Sequence, residues 1–334
     1  MAADTGISII QGNAVSYPRN QALSKVLAEF MQKDAKSVFV MWPASGMLLK
    51  IIQLKYIKRK QIIFDAFTSM YDSSVNDRKT VGRYSLKAAY LYLQDYLYCH
   101  LSDHLIFDTE SHKDYFFTTF GLKSSKKYTI LPVCVDLERM DGISPPAKGT
   151  HFDANKTNIL FYGSFIPLQG VQYIIEAASL INDPTLHFWI IGNGQTHNEM
   201  RVLADKLKVD DGLTFLPSMD YDQLMSHVKE ADVCLGIFGD TEKAQRVIPN
   251  KVLEYAACSK PVITGCNPEL KKYFKDGESV IFCPMADAKA LADKIQQSVN
   301  DVEKLKIIGA NARTVVERDF NLKTLRDKIQ NLYV

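Results

Sequence analysis

Residues 236–264 read GIFGDTEKAQRVIPNKVLEYAACSKPVIT, directly after the apolar triplet Val233, Cys234 and Leu235. The triplet predicts a strand. The loop behind it carries three cations, Lys243, Arg246 and Lys251, and opens a helix that bears Glu254. A second apolar strand follows at 261–264. Strand, loop, helix, strand is the repeating unit of a parallel sheet with helices on its faces. Cations and backbone amides at a helix start suit phosphate, and a carboxylate one turn in suits hydroxyl groups. A nucleotide diphosphate-sugar offers both kinds of group.

The same alternation extends in both directions. Strands are predicted at 7–10, 37–41, 61–65, 104–107 and 128–131, then at 158–162, 186–191, 213–216, 233–235, 261–264 and 279–282. Helical periodicity occupies 20–31, 84–99, 171–180, 197–207, 221–229, 251–257, 286–299, 302–317 and 322–333. Between the two groups lies SPPAKGTHFDANKT (144–157), with Pro145, Pro146 and Gly149 and no apolar period. The chain of 334 residues therefore reads as two α/β domains, 1–150 and 151–318, with a last helical segment, 319–334, that could cross back to the first domain. The expected fold class is two Rossmann-like doubly wound sheets facing across a cleft. Open α/β sheets bind ligands at the carboxyl ends of their strands.

Composition narrows the class. The chain is 46% hydrophobic and 23% charged, as globular proteins are. Its six cysteines form no CxxC pair and sit in apolar runs, so reduced thiols in a cytoplasmic setting are expected. No stretch is long enough to span a bilayer, and the N-terminus shows no signal-peptide pattern. Residues 1–150 hold 19 Lys and Arg against 14 Asp and Glu. Lys50, Lys55, Lys58, Arg59 and Lys60 are interleaved with apolar residues, which fits either a peripheral helix on an anionic membrane face or a core-facing helix with a basic outer side. Nothing points to a nucleic-acid partner.

Two glycine turns follow strands of the second half: Gly163-Ser164-Phe165-Ile166-Pro167-Leu168-Gln169-Gly170, and Ile191-Gly192-Asn193-Gly194. Glycine allows a backbone to approach a ligand closely. Both turns are equally compatible with ordinary strand-to-helix connections. GxGxxG is absent, which weighs against a dinucleotide-dependent oxidoreductase. P-loop and GxSxG patterns are absent as well.

From about residue 158 to 320 the chain resembles the nucleotide-binding domain of the group 1 (family 4) glycosyltransferases of GT-B fold. The segments that carry the likeness are YGSFIPLQG, WIIGNG, LTFLP, ADVCLGIFG, IPNKVLEYAACSKPVIT and DGESVIFCP. In the first half FDAFTSMYDSSVNDR, HLIFDTESHKDYF and LPVCVDLERM resemble that family's acceptor-side domain, with Gly12 in the position of its first glycine loop. The resemblance implies a retaining transferase that moves a sugar from a nucleotide diphosphate-sugar to a hydroxyl of a glycan or lipid-linked acceptor in surface polysaccharide or glycoconjugate synthesis. It implies no cofactor beyond the donor. It places Glu254 on the ribose hydroxyls, the backbone at Ile248, Asn250 and Lys251 on the phosphates, and Gly163, Ser164, Gly170 and Gly192 around the diphosphate.

The chain departs from the family pattern in three places. The family's paired glutamates stand eight positions apart, and the first contacts the donor sugar; eight before Glu254 is Arg246. An arginine and a lysine that clamp the diphosphate are replaced by Ser164 and Gln169. Lys243, Arg246 and Lys251 are expected to supply the missing positive charge. Asp65 and Asp108, each at the end of a predicted strand, are candidates for orienting or deprotonating an acceptor hydroxyl, or are helix caps. His112 is expected on the surface. Asp220-Tyr221-Asp222 reads as a helix start rather than a metal site, and no catalytic metal is expected. A non-catalytic nucleotide-sugar-binding module and a nucleotide-sugar epimerase stand as alternatives on the same fold.

Overall fold

The computed structural model describes residues 36–41, 47–209 and 211–330. The expected strand at 7–10, the helix at 20–31 and Gly12 lie outside the described residues.

The first domain holds a parallel sheet in sequential order: β1 (Ser37–Val40), β2 (Gln61–Asp65), β3 (His104–Phe107) and β4 (Lys127–Ile130). Inner strands β2 and β3 are almost wholly buried, whereas β4 at the edge is half exposed. An all-parallel sheet covered on both faces requires such continuous apolar strands at its centre. Helix α1 (Leu48–Ile52) and a π-turn (Gln53–Ile57) join β1 to β2. A second π-turn (Asp72–Asp77) and α2 (Leu86–Leu101) join β2 to β3, and α3 (Glu110–Phe120) joins β3 to β4. Ser85 caps α2 by accepting from the Ala88 amide, and Thr109 caps α3 by accepting from His112. Each such cap contributes about 1 kcal/mol.

The short α4 (Leu137–Gly142) precedes the second domain. That domain contains β5 (Thr157–Tyr162), β6 (Leu186–Ile191), β7 (Leu213–Leu216), β8 (Val233–Leu235), β9 (Val262–Gly265) and β10 (Ile281–Cys283). All are parallel, in the order β10-β9-β8-β5-β6-β7. Helices α5 (Val171–Leu180), α6 (His197–Leu207), α7 (Tyr221–Glu230), α8 (Asn250–Ala257), α9 (Pro268–Lys271) and α10 (Ala288–Val299) alternate with the strands, and α11 (Val302–Asp319) and α12 (Leu322–Gln330) close the chain.

Side-chain alternation divides this sheet between two cores. Ile159, Phe161, Val233, Leu235 and Ile263 join one, while Leu160, Cys234, Val262 and Phe282 join the other. The two-residue period of a strand sends successive side chains to opposite faces. Val135, Met140 and Phe152 pack into the second of these cores. The polar segment 144–157, expected as a linker, thus has chain on both sides of it anchored to the second domain. Beyond it, the Val135 amide donates to the Phe320 carbonyl at 2.8 Å, so α11 ends against the same segment.

Candidate active site

Strand order reverses between β5 and β8. In open α/β sheets such a reversal is where ligands bind, outside the carboxyl ends of the strands. The loop after β5 is 163–170, and the loop after β8 leads to α8. They are bound to each other: the Phe238 amide donates to the Gln169 carbonyl at 3.0 Å. Gly170 has φ +67°, and a side chain there would run into the backbone of Phe238 and Gly239. At Gly163, also at positive φ, an added Cβ would lie 2.8 Å from the Lys251 ammonium. The glycine makes room for that lysine.

Lys251 lies in the first turn of α8. The residue is 5% exposed. Its Nζ donates to Gln169 Oε1 at 2.5 Å and sits 3.7 Å from the centroid of the Phe161 ring. Among the described residues it forms no ion pair. Burial pushes its pKa well below the usual lysine value, opposed by the charge of Glu254. A buried ammonium with an amide oxygen and two aromatic rings but no ion-pair partner is costly, and an anion entering the glycine loop would remove that cost.

Glu254 follows one turn later. Tyr162, the last residue of β5, donates its hydroxyl to Oε2, and Tyr221 donates to Oε1 at 3.0 Å. Burial raises the Tyr162 phenol well above its ordinary pKa, and Glu254 adds to the effect. Burial followed by the charge of Glu254 raises that of Tyr221. The tyrosines therefore stay protonated and fix the carboxylate's direction. Each oxygen keeps a lone pair for a further donor. Neither tyrosine was singled out in the sequence. The available signals were an aromatic beside the Gly163 turn and the tyrosine between two aspartates at 220–222. Asp220 holds the N-cap position of α7 but makes no side-chain cap, and Asp222 pairs with Arg139 at 2.8 Å. Among the described residues no group of three or more His, Cys, Asp or Glu side chains could hold a metal ion.

Of the remaining expected phosphate neighbours, Ser164 is exposed on the loop and Gly192 is buried beneath it. A Cβ at Gly192 would run into the Gly163 carbonyl. Ile248 is buried in the core under α8, and Asn250 is exposed at the helix start.

Lys243 and Arg246 do not share partners with Lys251. Both reach toward the first domain. Arg246 Nη2 contacts Asp72 Oδ2 at 2.8 Å, with Asp72 1% exposed, and the guanidinium lies 4.2 Å over the Tyr115 ring. Lys243 Nζ donates to Ser73 Oγ at 2.7 Å. Burial lowers the Lys243 pKa, and the charges of Asp77 and Asp72 oppose the shift. Thr109 Oγ1 donates to the Arg246 carbonyl at 2.6 Å, and the Ser111 amide donates to Glu269 Oε1 at 3.0 Å. The expectation of one shared cation cluster is therefore corrected: Lys251 faces the glycine loop, and the other two cations are held by groups of the opposite domain.

Asp65 ends β2 and Asp108 directly follows β3, as expected. Asp108 is buried and accepts from His112 Nδ1 at 2.7 Å. This corrects the surface placement of His112, which is 1% exposed; its helix turns that face inward onto β3, against Phe116. In the basic segment, Ile51 and Leu54 enter the core, while Leu49, Tyr56 and Ile57 stay exposed beside Lys50, Lys58 and Arg59. No helix among the described residues is long and apolar enough to cross a membrane.

Comparison with known proteins agrees with this arrangement. The family model "Glycosyl transferases group 1" matches residues 147–315. An uncharacterized glycosyltransferase of Methanocaldococcus jannaschii, MJ1178, is 25% identical over 161 residues, 46% of this chain and 41% of that protein. The lipopolysaccharide core biosynthesis glycosyltransferase LpsE of Rhizobium meliloti is 24% identical over 43% of this chain and 39% of its own length. The match thus spans about two fifths of the length of these two relatives. The crystal structure of Anabaena HepE in complex with UDP and glucose superposes with a TM-score of 0.72 at 14% identity, covering 94% of this chain and 81% of that one. The fold is that of the GT-B glycosyltransferases. By its family match and its doubly wound second domain, the chain belongs to the group 1 glycosyltransferases.

Proposed function

We propose that the protein is a retaining glycosyltransferase that uses a nucleotide diphosphate-sugar. One observation carries this reading: the buried, carboxylate-free ammonium of Lys251 under Gly163, one helical turn from the tyrosine-held Glu254. The diphosphate would take the position where an anion relieves Lys251, and the ribose hydroxyls would donate to Glu254. The bond between the anomeric carbon and the phosphate oxygen breaks, with its electron pair going to the leaving diphosphate. The acceptor hydroxyl oxygen forms the new bond on the same face, and its proton passes to that phosphate. Charge grows on the diphosphate as the bond breaks, so a fixed ammonium stabilises the transition state more than the ground state. No metal is required in this scheme. Asp65, at the carboxyl end of β2, would orient the acceptor, a hydroxyl of a glycan or lipid-linked glycan.

The exposed Leu49, Tyr56 and Ile57 among cations support a peripheral contact with an anionic membrane. Co-sedimentation with anionic vesicles, lost when these three are changed to serine, would test it. The six unpaired thiols fit a reducing, cytoplasmic compartment.

The test of donor use is a thermal-shift panel of UDP-, GDP- and dTDP-sugars. A ligand that binds only the folded chain raises Tm by mass action. A selective rise supports the reading, and no rise with any member sinks it. The ion pair of Arg246 with Asp72 across the domains favours a second reading, a closed binding module without turnover. Release of sugar or transfer product from a bound donor would exclude that module.

A further inference from the structure

The π-turn Asp72–Asp77 and its C-cap Arg78 belong to the first domain yet touch the second at two separate loops. Lys243 and Arg246, from the loop before α8, take Ser73 and Asp72. Gln195, which follows the Gly192–Gly194 turn, donates through Nε2 to the Arg78 carbonyl at 2.9 Å. That turn is itself strapped to the 163–170 loop, since the Phe165 amide donates to the Asn193 carbonyl at 3.0 Å. The π-turn therefore bridges the loops that surround the proposed donor. π-turns of this kind are frequent at functional sites.

Asp77 ends this turn. It is 1% exposed. The charge of Lys243 and a hydrogen bond with Thr241 hold its carboxylate, but Oδ1 has no hydrogen-bond partner. At the same interface Arg246 Nε also lacks a partner. A buried polar atom left without a partner costs about 1–3 kcal/mol, so two of them at one domain junction call for a ligand that completes them. Asp72, by contrast, already has a donor on each oxygen, from Asn76 and Arg246. The family's first glutamate, which contacts the donor sugar, is Arg246 in this chain. We infer that Asp77 is a further specificity-determining residue, whose free carboxylate oxygen accepts a hydroxyl of the donor sugar from the opposite domain and so replaces the acid lost at position 246. The inference rests on the proposed donor site. Burial raises the Asp77 pKa, with Lys243 opposing, and a hydroxyl donating to Oδ1 would favour the charged form.

The test compares wild type with Asp77→Asn, which keeps the shape. Affinities are measured for free UDP, GDP and dTDP and for the corresponding nucleotide-sugars. The expected result is unchanged affinity for the free nucleotide and a loss of about 10- to 100-fold for the nucleotide-sugar. Wild-type affinity of the variant for both ligands overturns the inference. An equal loss for both also overturns it, since Asp77 would then only support the loop. If wild type binds the free nucleotide, the donor site stands whichever way Asp77 falls; if it binds none of these ligands, the donor reading itself fails. Should Asp77→Asn not fold, a crystal of the wild-type chain with the selected nucleotide-sugar decides. A sugar hydroxyl on Oδ1 supports the assignment, and a sugar facing elsewhere ends it.

Discussion

Lys251 and Arg246 stand five positions apart in one motif, and both are largely buried, yet their surroundings are opposites. Arg246 has a carboxylate at 2.8 Å and an aromatic face at 4.2 Å. Lys251 has an amide oxygen, two aromatic rings and no carboxylate in ion-pair contact. A buried cation with a partner contributes to closing the two domains. A buried cation without one raises the free energy of the empty protein and lowers that of the complex with an anion. The same residue class thus serves assembly on one side of the loop and ligand capture on the other.

The contrast breaks most visibly in stability. Arg246→Ala leaves Asp72 buried without its ion-pair partner, so a loss of about 3–5 kcal/mol is expected, read as a fall in Tm or in the denaturant midpoint. The Arg246→Ala, Asp72→Ala double variant should lose less than the sum of the two singles. Lys251→Met should do the reverse in the empty protein, leaving Tm unchanged or higher, because it removes an unpartnered charge. Its cost should appear in turnover, about 2.7–4 kcal/mol of barrier, as for other groups aimed at developing negative charge. A Lys251→Met protein with wild-type turnover would dissolve the distinction.

Next in size is Glu254→Gln, expected to weaken nucleotide affinity by about 1.5–3 kcal/mol, since bonds to a charged acceptor are worth that much. The pH dependence is comparable. In the free protein Lys251 is held well below the usual lysine pKa by burial. A bound diphosphate favours the ammonium and raises that pKa. Binding then takes up a proton, so affinity is full below the free-protein pKa and falls as pH rises above it. Titration of nucleotide binding from about pH 6 to about pH 9 should show weakening toward alkali, and the slope should vanish in Lys251→Met. The smallest effect belongs to Tyr221→Phe, about 0.5–1.5 kcal/mol of nucleotide affinity, from the loss of one bond that orients Glu254.

Much of the scaffold was legible because strands and helices carry their own periods. The helices at 171–180 and 197–207 begin and end where periodicity places them, and β2, β3, β6, β7 and β8 occupy their expected runs. Glu254 was legible through its family position, and its tyrosine partners were not. Contacts such as Arg246 with Asp72 join residues 174 positions apart, and no local pattern encodes such a pairing. His112 was misplaced because one polar residue in a helical period gives no sign of a buried acid beside it. Lys251 was read as a cation at a helix start, but its burial depends on Phe161 of β5 and Gly163 of the loop after it.

The account is tested most directly by a crystal structure of the chain with the nucleotide diphosphate selected in the thermal-shift panel. It should show a phosphate oxygen within hydrogen-bond reach of Lys251 Nζ and the ribose hydroxyls on Glu254. A nucleotide bound elsewhere, with Lys251 still bonded to Gln169 alone, would contradict it.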